Sequence, residues 1–324
     1  MADIFTSQDA PPTWLKDKAI TVFGYGAQGE AQALNLKDMG CRVTVCLYPG
    51  SKSIDKAKAA GLTVMTDPAM AARQTEVAVL LTPDAAIPAL WESALRDALP
   101  SKCALIFAHG FTIHYNLMTP KPTQDVLLVA PMGHGSILRQ QFLDGGAIPA
   151  VYAIHQDGTG NAKDIALAYA QAIGCARVGA ITSTFKEETE TDLFAEQTTS
   201  VGGLTALIGA SFDTMVAAGY QPEIAYWSTL REMEGMMRII ANRGMAAFVD
   251  NVSATAKYGA LTRGRRIISD ATRAEMKTIM DEIQSGKFLK ELQQEAQEGY
   301  PKSKDAIREM KSNSIETTHQ EFTK

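Results

Sequence analysis

The stretch Gly24-Tyr25-Gly26-Ala27-Gln28-Gly29 decides the fold of the first half of this 324-residue chain. It follows a short apolar run, Ala19–Gly24, and opens a stretch of helical composition, Gln28–Met39. The first glycine permits a tight turn, the second lets the backbone approach a pyrophosphate, and the third lets helix and strand pack closely. The helix N-terminus favours phosphate charge. We therefore expect all six residues of this loop to contact a dinucleotide.

The end of the second expected strand, Cys41–Leu47, bears on which dinucleotide binds. NAD-binding proteins usually carry a carboxylate there, which accepts a hydrogen bond from the ribose 2′-hydroxyl. This chain has instead Tyr48, Ser51, Lys52 and Ser53. Two hydroxyls and a lysine could hold a 2′-phosphate, which favours NADPH, with NADH as the alternative. The two serines could equally serve only to cap the helix that follows.

Short apolar runs alternate with glycine, proline and helical stretches through the first half of the chain. This alternation predicts an α/β domain over residues 1–182, in which a parallel sheet carries helices on both faces. The expected strands are Ala19–Gly24, Cys41–Leu47, Leu62–Met65, Glu76–Leu81, Ala104–Ala108, Val126–Ala130 and Ala150–His155.

After Thr182 the valine-rich runs end and long stretches of helical spacing take over. Proline and glycine separate these stretches, so residues 183–324 are expected to form an all-α domain. The polar segment Ser312–Lys324 is expected to be a frayed tail. The expected helices are Glu187–Ala218, Pro222–Arg243, Met245–Tyr258, Asp270–Ser285 and Phe288–Gly299.

Composition narrows the function classes. The chain is 46% hydrophobic and 21% charged, with a net charge of −5, so it has enough apolar surface to fold and no broad basic face for nucleic acid. No uninterrupted apolar run reaches the roughly 18–20 residues that span a bilayer, and the N-terminus does not resemble a secretory signal. The four cysteines form no CxxC pair. These features favour a cytoplasmic protein with no nucleic-acid or membrane partner.

Several further stretches resemble the short, class I form of the ketol-acid reductoisomerase family. The stretches are FAHGFTIHY (107–115), VAPMGHG (129–135), HQDGTGNA (155–162), FKEETETDLFAEQ (185–197) and AGYQPEIAYW (218–227), in the family's order. The resemblance implies an N-terminal Rossmann domain and a knotted helical C-terminal domain. It also implies a homodimer or larger homo-oligomer with shared active sites, NADPH and magnesium. The family migrates an alkyl group in 2-acetolactate or 2-aceto-2-hydroxybutyrate and then reduces the ketone, in the biosynthesis of branched-chain amino acids.

The resemblance assigns roles to individual residues of this chain. His109 matches the family's active-site histidine near the nicotinamide, and Asp84 and Gly135 match further cofactor contacts. Ser253 matches a serine that touches the substrate carboxylate. Tyr48 stands where an arginine is usual in the 2′-phosphate site.

The metal site departs from the family pattern. Asp192 and Glu196 lie four residues apart, so they share a helix face and could hold one hard cation through oxygen ligands. The family adds two glutamates from the partner subunit: Glu232 matches the second, but Ser228 stands in place of the first. A serine hydroxyl is a poor replacement for a carboxylate, so we expect one magnesium ion rather than two.

Three further positions depart from the family. Met132 replaces a lysine of the acid–base network. His134 is new to its loop and is either a replacement acid or a loop histidine that faces water or phosphate. Lys257 replaces a glutamate and either brings positive charge towards the substrate or lies solvated on an outer face.

These departures affect alkyl migration more than hydride transfer, because migration needs two metals to hold an alkoxide and a carbonyl. The chain is therefore expected to be a diverged reductase of a 2-keto acid or a related imine or oxime acid. Two alternatives stay open: a functional magnesium-dependent ketol-acid reductoisomerase, and a non-catalytic cofactor-binding protein.

Overall fold

The computed structural model describes residues 2–10 and 14–322. The chain divides into two compact units, residues 1–189 and 190–324. The expected domain boundary after Thr182 falls at the end of a strand, whereas the division lies inside the next helix, which begins at Phe185.

The described residues of the first unit form one nine-stranded sheet with the order β1-β9-β8-β7-β6-β5-β2-β3-β4. Strands β2 to β7 pair in parallel, β8 is antiparallel to β7, and β1 is antiparallel to β9. The expected strands are confirmed to within a residue at each end, and β1 and β9 are additional. The strands are β1 (Ile4–Phe5), β2 (Ala19–Phe23), β3 (Arg42–Cys46), β4 (Thr63–Met65), β5 (Val77–Leu80), β6 (Ala104–Phe107), β7 (Asp125–Pro131), β8 (Ala150–Gln156) and β9 (Ala180–Thr182).

Helices cover both faces of this sheet, as expected for an α/β domain. They are α1 (Ala27–Asp38), α2 (Ser53–Ala59), α3 (Pro68–Arg73), α4 (Ile87–Leu90), α5 (Phe111–His114), α6 (Gly135–Leu143) and α7 (Ala162–Ala172). Successive strand residues point to opposite faces, so Val22 joins one apolar core and Phe23 joins the other. The second core includes Trp91, which is fully buried.

The order in which strands are added to the sheet reverses beside β2. The chain first builds β3 and β4 on one side of β2, then crosses to place β5 on the other. In open α/β sheets, ligands bind at the carboxyl ends of the strands where the order reverses. Gly24 occupies that point with φ +110°, and a Cβ atom there would lie 2.5 Å from the Leu81 carbonyl oxygen that follows β5.

The second unit is helical throughout its regular structure. Its elements are α8 (Phe185–Ala195, shared with the first unit), α9 (Gly202–Ala217), α10 (Pro222–Tyr226), α11 (Glu232–Arg243), α12 (Met245–Asp250), α13 (Ala254–Ile267), α14 (Asp270–Gln284), α15 (Lys287–Gln297), α16 (Pro301–Ser312) and α17 (Ser314–Phe322). Two five-residue π-helical turns, Glu196–Ser200 and Trp227–Arg231, join α8 to α9 and α10 to α11.

Two expectations about this unit were wrong. The expected helix Met245–Tyr258 is broken at Ser253, whose hydroxyl caps α13 by accepting the Ala256 N–H. The expected frayed tail instead forms the end of α16 and α17, while Thr323 and Lys324 lie outside the described residues. His319 on α17 hydrogen-bonds the buried Tyr226 hydroxyl at 2.7 Å, which explains why this polar segment is ordered.

The second unit exposes much of its apolar surface. The helical stretch Phe185–Ala217 is, among the described residues, the one that is long and apolar enough to cross a membrane, although little of it is buried. The sequence shows no uninterrupted apolar run because polar residues are spread along this stretch. The finding rests on length and composition alone and does not assign a membrane span.

Candidate functional site

The glycine loop leaves one position open towards solvent. Added Cβ atoms would meet the Leu81 carbonyl at Gly24 and the Gly24 carbonyl at Gly29, each at 2.5 Å, so both glycines are required for packing. At Gly26 an added Cβ would meet nothing within 4 Å. Open space above a helix N-terminus is where a pyrophosphate would approach the backbone.

The other loop residues face different surroundings. Tyr25 is buried, and burial raises the pKa of its hydroxyl to about 12. Ala27 is exposed at the first turn of α1, and Gln28 is half-buried. Contacts from Tyr25 to a nucleotide would therefore come from its backbone, whereas Ala27 and Gln28 lie nearer the surface.

The segment after β3 forms an open, polar turn. The Tyr48 side chain is 69% exposed, and Lys52 is exposed. Ser51 and Ser53 are half-buried, and the Ser51 hydroxyl accepts the Ser53 N–H at 3.3 Å. The serine of the turn thus orders the start of α2, while the segment offers hydroxyls and an amine but no carboxylate before the helix.

The loop after β5 also lies at the carboxyl ends of the strands, beside the glycine turn. Asp84 is half-buried and begins a short 3₁₀ turn, Asp84–Ala86. Thr82, which the sequence analysis missed, lies beside Gly24 and has a buried hydroxyl without a hydrogen-bond partner among the described residues. Its position at the carboxyl end of β5, opposite the glycine turn, was the available signal.

The loop Pro131–Gly135 packs against the glycine loop. The Gln28 side-chain amide donates to the Gly133 carbonyl at 2.9 Å. A Cβ atom on Gly135, the first residue of α6, would overlap the carbonyl of Ala27, the first residue of α1. Two helix N-termini therefore lie side by side at this edge of the sheet. The Met132 side chain beside them is 55% exposed.

His134 is the N-terminal cap of α6. Its Nδ1 accepts the Ser136 N–H at 3.3 Å and lies 2.9 Å from the Ser136 hydroxyl. An accepting Nδ1 carries no proton, so in the neutral ring the proton is on Nε2. This geometry supports a structural capping role, and the exposed ring leaves Nε2 accessible from solvent.

His109 is held by a carboxylate that the sequence analysis missed. Its Nδ1 lies 3.2 Å from Glu188 Oε1, and Glu188 Oε2 accepts the Gly110 N–H at 2.7 Å. Glu188 is buried, and the His109 ring stacks on Phe111. Because both carboxylate oxygens are engaged, Glu188 fixes the ring and directs Nε2 away from it. Its place one helical turn before Asp192 was the available signal.

The carboxylates Asp192 and Glu196 are exposed, and four residues separate them along α8 and the π-turn that starts at Glu196. Two hard oxygen donors at this spacing suit Mg²⁺, which prefers a few carboxylates and completes its shell with water. The neighbouring Glu190 is instead buried and accepts a hydrogen bond from Gln284 at 3.1 Å. Asp192 and Glu196 therefore fit a magnesium ion better than Glu190 does.

The remaining candidates lie on the later helices. Ser228 is exposed within the π-turn Trp227–Arg231, and Glu232 is the exposed first residue of α11. Ser253 is engaged in capping α13. Lys257 is half-buried, and its amine forms an ion pair with the exposed Asp250 at 2.7 Å.

A parallel sheet with a glycine turn at its reversal point, followed by a helical unit, defines the class of Rossmann-type dinucleotide-binding oxidoreductases. Two family models match the chain: the acetohydroxy acid isomeroreductase NADPH-binding domain over residues 14–179, and the ketol-acid reductoisomerase C-terminal domain over residues 185–324. The chain therefore belongs to the ketol-acid reductoisomerase family, as the sequence motifs indicated.

Solved structures agree with this assignment. A NADH-preferring ketol-acid reductoisomerase from an uncultured archean is 34% identical, with a TM-score of 0.95 over 99% of this chain and 98% of that one. Two others share only the fold: a semialdehyde dehydrogenase NAD-binding protein from Cupriavidus necator (16% identity, TM-score 0.65, 83% and 99% covered) and a pyrroline carboxylate reductase from Plasmodium falciparum (14% identity, TM-score 0.54, 84% and 98% covered).

Proposed function

We propose that this chain is an NAD(P)H-dependent reductase of a 2-keto acid or a related imine or oxime acid, and that it does not migrate alkyl groups. The observation that carries the proposal is Met132. Its exposed thioether stands on the loop that packs against the glycine loop, at a position where the family has a lysine. A thioether neither donates nor accepts a proton, whereas migration requires a substrate hydroxyl to lose one.

In this proposal the hydride donor lies over the glycine loop, with its pyrophosphate at Gly26. His109, oriented by Glu188, supplies the proton that accompanies hydride transfer. Asp192 and Glu196 would hold one magnesium ion, which when bound polarises the substrate carbonyl as a Lewis acid. Ser253 would orient the substrate carboxylate.

The cofactor and the assembly are also proposals. The hydroxyls of Ser51 and Ser53 with the Lys52 amine support NADPH, and the lack of an arginine at Tyr48 leaves NADH as the competitor. The exposed apolar helices of the second unit support a homodimer or larger homo-oligomer. In that assembly Glu232 would contribute to the metal site that contains the partner's Asp192. We place the protein in the cytoplasm, because all four cysteines are free thiols, as is usual in a reducing compartment.

The test compares two substrates under identical conditions, with NADPH and NADH, and with magnesium or a chelator. 2-Acetolactate requires migration before reduction, whereas 3-hydroxy-3-methyl-2-oxobutanoate requires reduction alone. We expect oxidation of the cofactor with the second substrate and a rate with the first that is lower by about 10⁴-fold, if Met132 and Ser228 each remove about 3 kcal/mol of stabilisation. Comparable turnover of both substrates would disprove the proposal.

The relative that is 34% identical over 99% of this chain favours a second candidate, a functional magnesium-dependent ketol-acid reductoisomerase. Magnesium-dependent turnover of 2-acetolactate would establish it. A third candidate, a non-catalytic cofactor-binding protein, predicts nucleotide binding without turnover of either substrate or of imine and oxime acids.

A further inference from the structure

A continuous chain of side-chain hydrogen bonds runs from the core of the first unit to the loop Pro131–Gly135. The Tyr169 hydroxyl on α7 donates to Gln32 Oε1 at 2.6 Å. Gln32 Nε2 donates to Gln28 Oε1 at 3.0 Å, and Gln28 Nε2 donates to the Gly133 carbonyl at 2.9 Å. Helices α7 and α1, which are far apart in sequence, are thereby joined to one backbone carbonyl of this loop.

The Gly133 carbonyl sets the direction of every hydrogen bond in this series. A backbone carbonyl can only accept, so Gln28 must turn its amide nitrogen towards Gly133. Its amide oxygen then faces Gln32, which must also present its nitrogen. The remaining oxygen of Gln32 faces Tyr169, whose hydroxyl must donate. Each side chain has one orientation that satisfies all of the bonds, and bonds aligned in this way strengthen one another.

The polar side chains that form these hydrogen bonds are costly in free energy to bury. Gln32 and Tyr169 are fully buried, and a buried amide or hydroxyl is unfavourable unless it is hydrogen-bonded. Apolar side chains of similar volume would fill the same space without that requirement. Burial also raises the pKa of Tyr169 well above its usual value, so the hydroxyl stays protonated and able to donate.

The carbonyl that receives the chain lies in a loop beside the nucleotide site. Gly133 is flanked by Met132 and His134, and the next residue, Gly135, packs on Ala27 at the start of α1. The position of this loop thus sets the spacing between the N-termini of α1 and α6. A shift of the loop would change the geometry that a nucleotide meets.

We propose that Gln28, Gln32 and Tyr169 are positioning residues that fix the loop Pro131–Gly135 against the start of α1 and so set the affinity for the nicotinamide dinucleotide. The proposal rests on the proposed function, because it takes NAD(P)H as the ligand. It assigns to Gln32 and Tyr169, which lie in the core, a role in cofactor binding that reaches the site through Gln28 and the Gly133 carbonyl.

The experiment compares Tyr169→Phe and Gln32→Met with the control Thr21→Val. The Thr21 hydroxyl is also a buried terminal donor: it lies 2.6 Å from the Thr75 hydroxyl, which itself donates to the Ala71 carbonyl, and neither residue belongs to the loop or to the chain that ends at Gly133. Hydrogen exchange of the amides of residues 132–137, the dissociation constants of NADPH and NADH, and the melting temperature are measured on each full-length protein.

Tyr169→Phe and Gln32→Met are expected to speed exchange in residues 132–137 by about 10-fold and to weaken binding of the preferred nucleotide about 5-fold. Thr21→Val is expected to leave the exchange rates and the nucleotide affinity unchanged, although its melting temperature should be similar to those of the two test variants. Unchanged exchange and affinity in both test variants would overturn the proposal, because the hydrogen-bonded side chains would then only fill the core. If the unmodified protein binds neither nucleotide, the proposed function fails, while the exchange data still decide whether the chain holds the loop.

Discussion

The two units of the molecule bury their apolar residues to very different extents. In the first unit both faces of the sheet are covered, and side chains as large as Trp91 and Tyr169 are fully buried. The second unit has a small core built around Phe212, Ala225 and Tyr226, while most of its helices expose apolar side chains. The first unit therefore has the buried cores of an independent domain. The exposed apolar faces of the second unit are typical of interaction surfaces.

The helix α11 shows the difference most clearly. Met233, Met236, Met237 and Ile240 follow the i, i+3, i+4, i+7 spacing of an apolar stripe, yet none of the residues of α11 is buried. A second copy of the chain is the covering surface that we propose. The following predictions test the contrast between the units.

The largest effect is expected from a charge on the α11 stripe. Met237→Glu should weaken self-association by about 100-fold, since an unpaired charge in an apolar interface costs about 3 kcal/mol. Analytical ultracentrifugation measures the change. The control is Met70→Glu in the first unit, because Met70 is 50% exposed and Met237 is 48% exposed. Equal behaviour of the two variants would show that α11 is not an interface.

The first unit should be most sensitive at the glycine turn. Gly24→Ala places a Cβ at φ +110° and within 2.5 Å of the Leu81 carbonyl oxygen, so the backbone of β2 or β5 must shift. We expect a loss of about 3 kcal/mol in the free energy of unfolding, measured by denaturant titration. A stable variant with normal nucleotide binding would contradict the close packing of Gly24 against the Leu81 carbonyl.

Gly26→Ala separates binding from folding in the same loop. An added Cβ there meets nothing within 4 Å, so the melting temperature should stay within about 2 °C of the unmodified protein. The new methyl group would occupy space expected for the pyrophosphate, so the dissociation constant for NADPH or NADH should rise about 10-fold. Isothermal titration calorimetry provides the measurement, and unchanged affinity would place the nucleotide elsewhere.

The smallest effect is expected at Glu76. The Ala19 N–H and the Lys18 amine hold the pKa of this carboxyl below its ordinary value. A lowered pKa in the folded state adds stability above the ordinary pKa, and this gain is lost as the pH falls through the folded value. Glu76→Gln should therefore cost about 0.5–1 kcal/mol at pH 7 and progressively less below pH 4.5. A pH-independent difference in denaturation midpoint would refute the ionic contribution.

The sequence predicted the features that depend on local pattern. The apolar runs located the parallel strands, and the spacing of Gly24, Gly26 and Gly29 located the turn where the sheet reverses. The family motifs also identified the helical unit. The strands and the turn were predicted because their signals lie within a few neighbouring residues, whereas the motifs were informative because they resemble those of a known family.

Features that depend on distant residues were not predicted. Glu188 contacts His109 across 79 positions, and Tyr169 contacts Gln32 across 137. The order of α17 depends on Tyr226, which lies 93 positions earlier. Polarity alone suggested a frayed tail, because the ring and the hydroxyl that hold the segment are not visible in its own composition.

The π-turn Trp227–Arg231 gives the helical stretch from α10 to α11 a place where the chain can shorten by one residue. A π-turn holds one more residue than an α-helical turn, so removing a single residue would leave regular α-helix in its place. The extra residue is held within the turn, so deleting one residue between Ser228 and Glu232 would keep α11 on its present face, with these two residues as neighbours at i, i+3. A one-residue deletion inside α11 itself would instead rotate every later residue of that helix by about 100°.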